Sequence, residues 1–206
     1  MEFIHSGKNN IMIEFIIPTY NRPYQLLTII GSILSQNNPN WKIHIVADAI
    51  YDGYETIKEL FSNIDKIKFT ELAGPHNDWG HTPRQFGLDN ASEEWVVMSG
   101  DDNYYTPNFV DTFLSAVDGH INFIYCDMLH NHNTGHTAPY RYFDTKPQIN
   151  YIDIGNFATR TYMAKQISFN KGSYGADGEF VEKYTQIFCK EPHNIRKIKQ
   201  ALYIHN

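Results

Sequence analysis

The chain has 206 residues, of which 42% are apolar and 15% aromatic, and its formal net charge is −6. That apolar content fills a core and excludes a disordered chain. The acidic balance disfavours a nucleic-acid backbone as partner, since phosphate contacts need clustered Lys and Arg and the best basic run, Arg196-Lys197-Ile198-Lys199, is short.

Residues 1–10 read as a loose lead-in ending Gly7-Lys8-Asn9-Asn10. They hold no charged region followed by an apolar run, and every apolar stretch falls well short of the roughly 20 residues of a membrane span. A cytoplasmic protein without a transmembrane segment is the expectation, with peripheral membrane contact left open. Two cysteines, Cys126 and Cys189, stand far apart and suggest neither a disulfide framework nor a zinc site.

"IMIEFIIP" is a buried strand stopped by Pro18. "PYQLLTIIGSILSQ" spaces Leu26, Leu27, Ile30, Ile33 and Leu34 as a helix, with Pro23 as starter. "KIHIVAD" is a second strand reaching Asp48, "YETIKELFSNI" an amphipathic helix, and "KIKFTEL" a third strand. "TPRQFGLDNAS" forms a helix and "EWVVMSG" a fourth strand. Strand and helix alternate, and the strands are continuously apolar, so the fold class is α/β with a mixed, mostly parallel sheet flanked by helices.

The second half reads differently. "NFIYCDML" is a strand, and "HNHNTGHTAPYRYFDTKPQIN" suits a hairpin or long loop. "YIDIGNFATRTYMAKQISF" reads as strand, turn and short helix. "ADGEFVEKYTQIF" has helical spacing with Asp177 near its start, and "IKQALYIH" is a last strand ending at His205.

Ligands of such sheets bind beyond the carboxyl ends of the strands. Pro18, Thr19 and Tyr20 stand there after strand one, Asp48 after strand two, and Asp101-Asp102 after strand four. Two adjacent carboxylates repel when partly desolvated unless a cation offsets them. Mg²⁺ or Mn²⁺ suits them, because such an ion takes one or two carboxylates and completes its shell with water and phosphate. The competing reading is a plain turn, for which Asp-Asp-Asn is good chemistry.

These stretches resemble family 2 glycosyltransferases of the GT-A (Rossmann-like) fold. "FIIPTYNRPYQLLTIIGSILSQ", "WKIHIVAD" and "PRQFGLDNASEEWVVMSGDDNYYTPNF" look like the family's nucleotide-binding elements, and "IDIGNFATRTYMAKQI" and "GADGEFVEKY" look like its acceptor-side segment and base-bearing helix. The resemblance implies one domain over 1–206, with a nucleotide-sugar half over about 12–118 and a smaller acceptor-side β/loop half over about 119–206. It implies an inverting, metal-dependent transfer from a nucleotide sugar, expected to be UDP-linked, to a glycan, lipid-linked or protein acceptor.

Carried over by residue, the resemblance puts Pro18, Thr19 and Tyr20 around the base, and Asp48 on base or ribose. It puts Arg84 on the diphosphate, Asp101 on the ribose or sugar, and Asp102 on the metal. Asp177 becomes the base that takes the acceptor proton, with Glu179 in reserve. His205, or second His193, is the late metal ligand. Two departures stand out: Asp48-Ala49-Ile50-Tyr51-Asp52 lacks the family's acidic run, and Ala176 replaces the acid before Asp177. Alternatives for single residues are a surface Arg84 paired with Asp89 or Glu93, an N-cap role for Asp177, and a separate metal cluster at His130, His132 and His136. Asp153 and Asn156 are candidates for the acceptor pocket, and Trp79 either stacks on a sugar or packs. Whole-chain alternatives are a nucleotidyltransferase, disfavoured by the missing Gly-rich phosphate loop, and a non-catalytic sugar-nucleotide or glycan binding module of the same fold.

Overall fold

The computed structural model describes residues 11–131 and 139–206. The expected lead-in and two members of the histidine cluster, His132 and His136, lie outside the described residues.

β1 (Ile13–Thr19) is buried at all seven positions. A strand covered on both faces has no polar side, so its apolar run is continuous. Successive side chains point to opposite faces. Phe15 and Ile17 join a core with α1 (Pro23–Leu34), whereas Ile16 joins a second core with α3 (His81–Asp89) and α6 (Ala176–Phe188). β2 (Trp41–Ala47) and β4 (Trp95–Met98) flank β1 in parallel, and β3 (Ile67–Glu71) lies parallel to β2. α2 (Tyr54–Leu60) connects β2 to β3 and stops four residues before the expected end.

The remaining elements are β5 (Tyr104–Tyr105), α4 (Phe109–Ser115), β6 (Phe123–His130), β7 (Arg141–Phe143), β8 (Phe157–Arg160), α5 (Thr161–Ala164) and β9 (Ile195–His205). One sheet of nine described strands runs β3-β2-β1-β4-β8-β6-β9-β5, with β7 paired to β6. β8 runs antiparallel to both β4 and β6, and so joins the parallel block to the second half. β6 and β9 are parallel, while β5 and β7 pair antiparallel with β9 and β6.

The segment expected as strand, turn and helix opens instead with a turn. Gly155 N–H donates to Oδ1 of Asp153 at 3.0 Å and Asp153 N–H to Oδ1 of Asn156 at 3.3 Å. Such local side-chain bonds outcompete a strand ladder. No helix among the described residues is long and apolar enough to cross a membrane.

Candidate active site

The strand register aligns Thr19 with Ala47, and Ser99 N–H donates to Ile16 O at 3.0 Å, so the carboxyl ends of β1, β2 and β4 finish together. Above them opens a cleft of about 510 Å³, walled also by the segments that lead into α3 and α6. A volume in this range accommodates a small-molecule ligand. Pro18, Thr19, Tyr20, Asp48, Arg84, Asp101, Asp102, Asp177 and His205 all line it. Glu179 does not: its carboxylate accepts from Ser173 Oγ at 2.5 Å and Asn170 Nδ2 at 2.9 Å.

The acidic pair sits in a turn after β4. Asp101 is buried and accepts from Thr19 Oγ1 at 2.8 Å and Arg22 Nη1 at 3.2 Å. Having donated its proton, Thr19 Oγ1 accepts from the Tyr51 hydroxyl at 2.9 Å. Asp102 keeps 31% of its side chain exposed and lies 2.5 Å from the same Arg22 nitrogen. The repulsion between the carboxylates, expected to need an external cation, is thus partly offset by the chain's own guanidinium. Burial still pushes the Asp101 carboxyl up to about 6, reinforced by Asp102 and opposed by Thr19 and Arg22.

Asp48 is buried at the tip of β2 and holds the loop after β3. Its Oδ2 accepts from His76 N–H at 2.9 Å, its Oδ1 meets His76 Nδ1, and its carbonyl accepts from Gly74 N–H at 2.8 Å. A Cβ at position 74 would stand 2.1 Å from that carbonyl, so this approach needs glycine. Tyr20 is exposed beside the cleft, edge-on to Tyr51 at 6.4 Å.

Arg84 is buried, contrary to the surface pairing with Asp89 or Glu93, which instead bind Gln85 and Lys42. Arg84 Nη1 donates to His81 Nδ1 at 3.0 Å, and the guanidinium lies over Phe169 at 5.7 Å. Its Nε has no hydrogen-bond partner among the described residues. Because Nδ1 of His81 accepts, Nε2 carries the proton and donates to Ser173 O at 3.1 Å. Burial and the adjacent guanidinium both lower the His81 pKa, which favours this neutral ring.

Asp177 is the second residue of α6; Gly175 holds the N-cap position, so the capping reading is corrected. Gly178 packs this end so closely on the 149 segment that a Cβ there would stand 2.5 Å from Ile149 Cα. Burial pushes the Asp177 carboxyl up to about 6; Arg84 and His205 oppose the shift and Asp153 adds to it. Asp153 accepts from Tyr203 Oη at 2.5 Å and lies 3.2 Å from His205 Nε2. His193 sits in the turn Pro192–Asn194 against His120, and does not line the cleft. Asn156 is fully buried, with Nδ2 donating to Cys126 O at 2.8 Å, and also does not line it. His130 stacks edge-on to Phe143 at 4.9 Å. Arg22, Tyr51, His76 and His81 are the residues sequence reasoning missed. Arg22 alone carried a signal, standing three residues beyond Thr19 in "YNRP".

No group of three or more His, Cys, Asp or Glu among the described residues makes a closed metal cage. The donor set nonetheless fits Mg²⁺ or Mn²⁺ beside a diphosphate. Asp102 would offer a partly exposed carboxylate and His205 an imidazole from the same cleft, with the remaining oxygens to come from water and a bound diphosphate.

The model for "Glycosyl transferase family 2" matches residues 14–175. A putative colanic acid biosynthesis glycosyl transferase, WcaA of Escherichia coli (strain K12), is 27% identical over 108 residues, covering 52% of this chain and 38% of that protein. The crystal structure of S. aureus TarS 1-349 superposes with a TM-score of 0.75 at 21% identity, over 95% of this chain and 60% of that one. A mannosyltransferase, PcManGT from Pyrobaculum calidifontis, in complex with GDP-Man and Mn2+, superposes at 0.69 and 13% identity, over 93% and 56%. The chain therefore spans less than two thirds of each of these proteins. The mixed sheet with flanking helices is the GT-A fold expected from the sequence. Together, the match over residues 14–175 and the shared architecture show that this chain belongs to glycosyltransferase family 2.

Proposed function

We propose that the chain transfers a sugar from a nucleotide-sugar donor to an acceptor hydroxyl with inversion, using Asp177 as base. The carrying observation is that one cleft holds Asp177 together with a buried guanidinium, Arg84, and the partly exposed Asp102. A TarS complex with UDP-GlcNAc is among the similar folds, at a TM-score of 0.73, and supports a UDP-linked donor.

The acceptor oxygen forms a bond to the anomeric carbon as the bond from that carbon to the diphosphate oxygen breaks. The leaving oxygen keeps the electron pair. Asp177 takes the acceptor's hydroxyl proton, and a carboxyl shifted up to about 6 is a base poised near neutral pH. Arg84 balances charge on the diphosphate, its orientation fixed by His81. When bound by Asp102 with His205, a divalent ion supplies further charge stabilisation to the leaving group.

A thermal-shift panel of UDP, GDP and ADP, each with Mn²⁺ or Mg²⁺, tests the reading. A nucleotide at 100 times its dissociation constant adds about 2.7 kcal/mol of stability. UDP with Mn²⁺ is expected to raise the Tm most, and slow hydrolysis of a UDP-sugar to accompany it. No shift with any nucleotide would overturn the proposal.

A further inference from the structure

Trp79 exposes 57% of its surface and Tyr174 76%, and the two rings meet edge to face with centroids 6.0 Å apart. Both line the cleft. An exposed indole adds little to folding, and this one also sits at φ 55°. For a bulky side chain that left-handed backbone is a rare and unfavourable state. Glycine would satisfy the same backbone without strain.

The loop is fastened on both sides. Asp78 accepts from Thr82 N–H at 2.9 Å and Oγ1 at 2.5 Å, and His81 packs against the indole with centroids 6.1 Å apart. Indole and phenol are thus held at the mouth of a built site rather than hidden in a core. Tyr174 lies three residues before Asp177, and Trp79 three residues after His76, which bonds Asp48, so the pair joins the start of the base-bearing helix to the loop after β3 across the cleft mouth.

We infer that Trp79 and Tyr174 form a stacking platform for the acceptor, and that the acceptor presents a pyranose ring there. This rests on the transferase reading for its role and names the acceptor class. A pyranose carries an apolar face of C–H groups that covers an aromatic ring, while its hydroxyls stay free to reach a carboxylate. Charge favours a neutral saccharide over an anionic acceptor. Asp48, Asp78, Asp101, Asp102, Asp153 and Asp177 line the cleft against two arginines: Arg22, which is engaged by Asp101 and Asp102, and Arg84, which the transferase reading assigns to the donor's diphosphate.

Ligand-observed saturation-transfer NMR on the whole chain tests it, without donor, using chitotriose, cellotriose and maltotriose, with sorbitol as an acyclic control and UDP as a nucleotide control. At least one trisaccharide is expected to show saturation on its ring protons, and sorbitol none. Trp79→Gly is expected to weaken that signal at least about tenfold while the Tm stays level or rises, because glycine relieves the backbone; Trp79→Phe is expected to keep most of it. A lower Tm in Trp79→Gly would make the indole a packing element and overturn the platform. So would equal saccharide binding by Trp79→Gly, or no trisaccharide signal from a chain that still binds UDP. The saccharide signal needs no donor, so loss of nucleotide-induced stabilisation alone would sink the transferase reading and not the platform.

Discussion

Nη1 of Arg22 stands 2.5 Å from Oδ2 of Asp102, so the cleft carries a cation of its own where a divalent ion is expected. The same nitrogen reaches the buried Asp101. Arg22 and an added ion would therefore compete for one pair of carboxylates. Arg22→Gln is expected to lower the Tm without metal and to show a larger Mn²⁺-induced rise than the parent. Differential scanning fluorimetry across a Mn²⁺ series measures both. An identical Mn²⁺ response in the two proteins would show that guanidinium and ion do not share the site.

As the proposed base, Asp177 would work only when ionised. Its carboxyl is shifted up to about 6, so kcat/KM is expected to fall as pH drops through about 6 and to level off above it. Asp177→Asn is expected to lose about 10²- to 10⁴-fold in turnover. A flat profile from pH 5 to pH 8 would exclude this residue as the base.

Asp101 makes a stability prediction of the opposite sense from an ordinary ion-paired acid. Its folded pKa lies above its unfolded value, so its stabilising contribution is complete below about 3.8 and is lost as pH rises through about 6. Asp101→Asn is expected to be more stable than the parent at neutral pH, by on the order of 2 kcal/mol, with the difference closing near pH 4. Urea unfolding at the two pH values checks it. A less stable variant at neutral pH would mean that the bonds from Thr19 and Arg22 outweigh burial.

On the proposed reading, His81 acts by positioning Arg84, whose Nη1 it accepts from at 3.0 Å. His81→Phe keeps an aromatic ring against Phe169, whose plane lies within 6° of the imidazole, but removes the acceptor for Nη1. UDP affinity is expected to weaken about tenfold, with most of it returning in His81→Asn, whose amide oxygen accepts. Calorimetric titration reads this, and unchanged affinity in His81→Phe would refute the positioning role.

Gly178→Ala forces a methyl into the Ile149 backbone. Overpacking of this kind costs about 1–3 kcal/mol. Denaturant melts are expected to show that loss, and turnover is expected to drop further because Asp177 is the neighbouring residue. Parent-like stability and turnover would mean that the 149 segment yields freely.

The parallel block was legible because each of its strands is a short unbroken apolar run whose end falls on the rim. Tyr20, Asp48 and Asp102 could be placed from those ends alone. Arg22 could not, since its partnership needs the tips of β1 and β4 brought side by side across some eighty residues, which no local pattern encodes. Glu179 and Asn156 were misplaced for a related reason. Both lie within two residues of lining residues in sequence, but a helical turn carries Glu179 away to Ser173, and a side-chain-bonded turn folds Asn156 into the interior.

The short pairing of β5 with β9 has a consequence for the order of assembly. Tyr104 pairs with Ile204 across a separation of 100 residues, and Asn206 N–H closes the ladder on Asn103 Oδ1 at 3.0 Å. This two-rung clasp joins the segment after Asp102 to the strand bearing His205. Contacts so distant along the chain carry the larger loop-closure cost and are expected to form after the near-neighbour pairing of β1 with β2, which builds the Asp48 end of the cleft. A refolding chain is therefore expected to regain nucleotide binding before it regains turnover, with the interval set by the closing of that clasp.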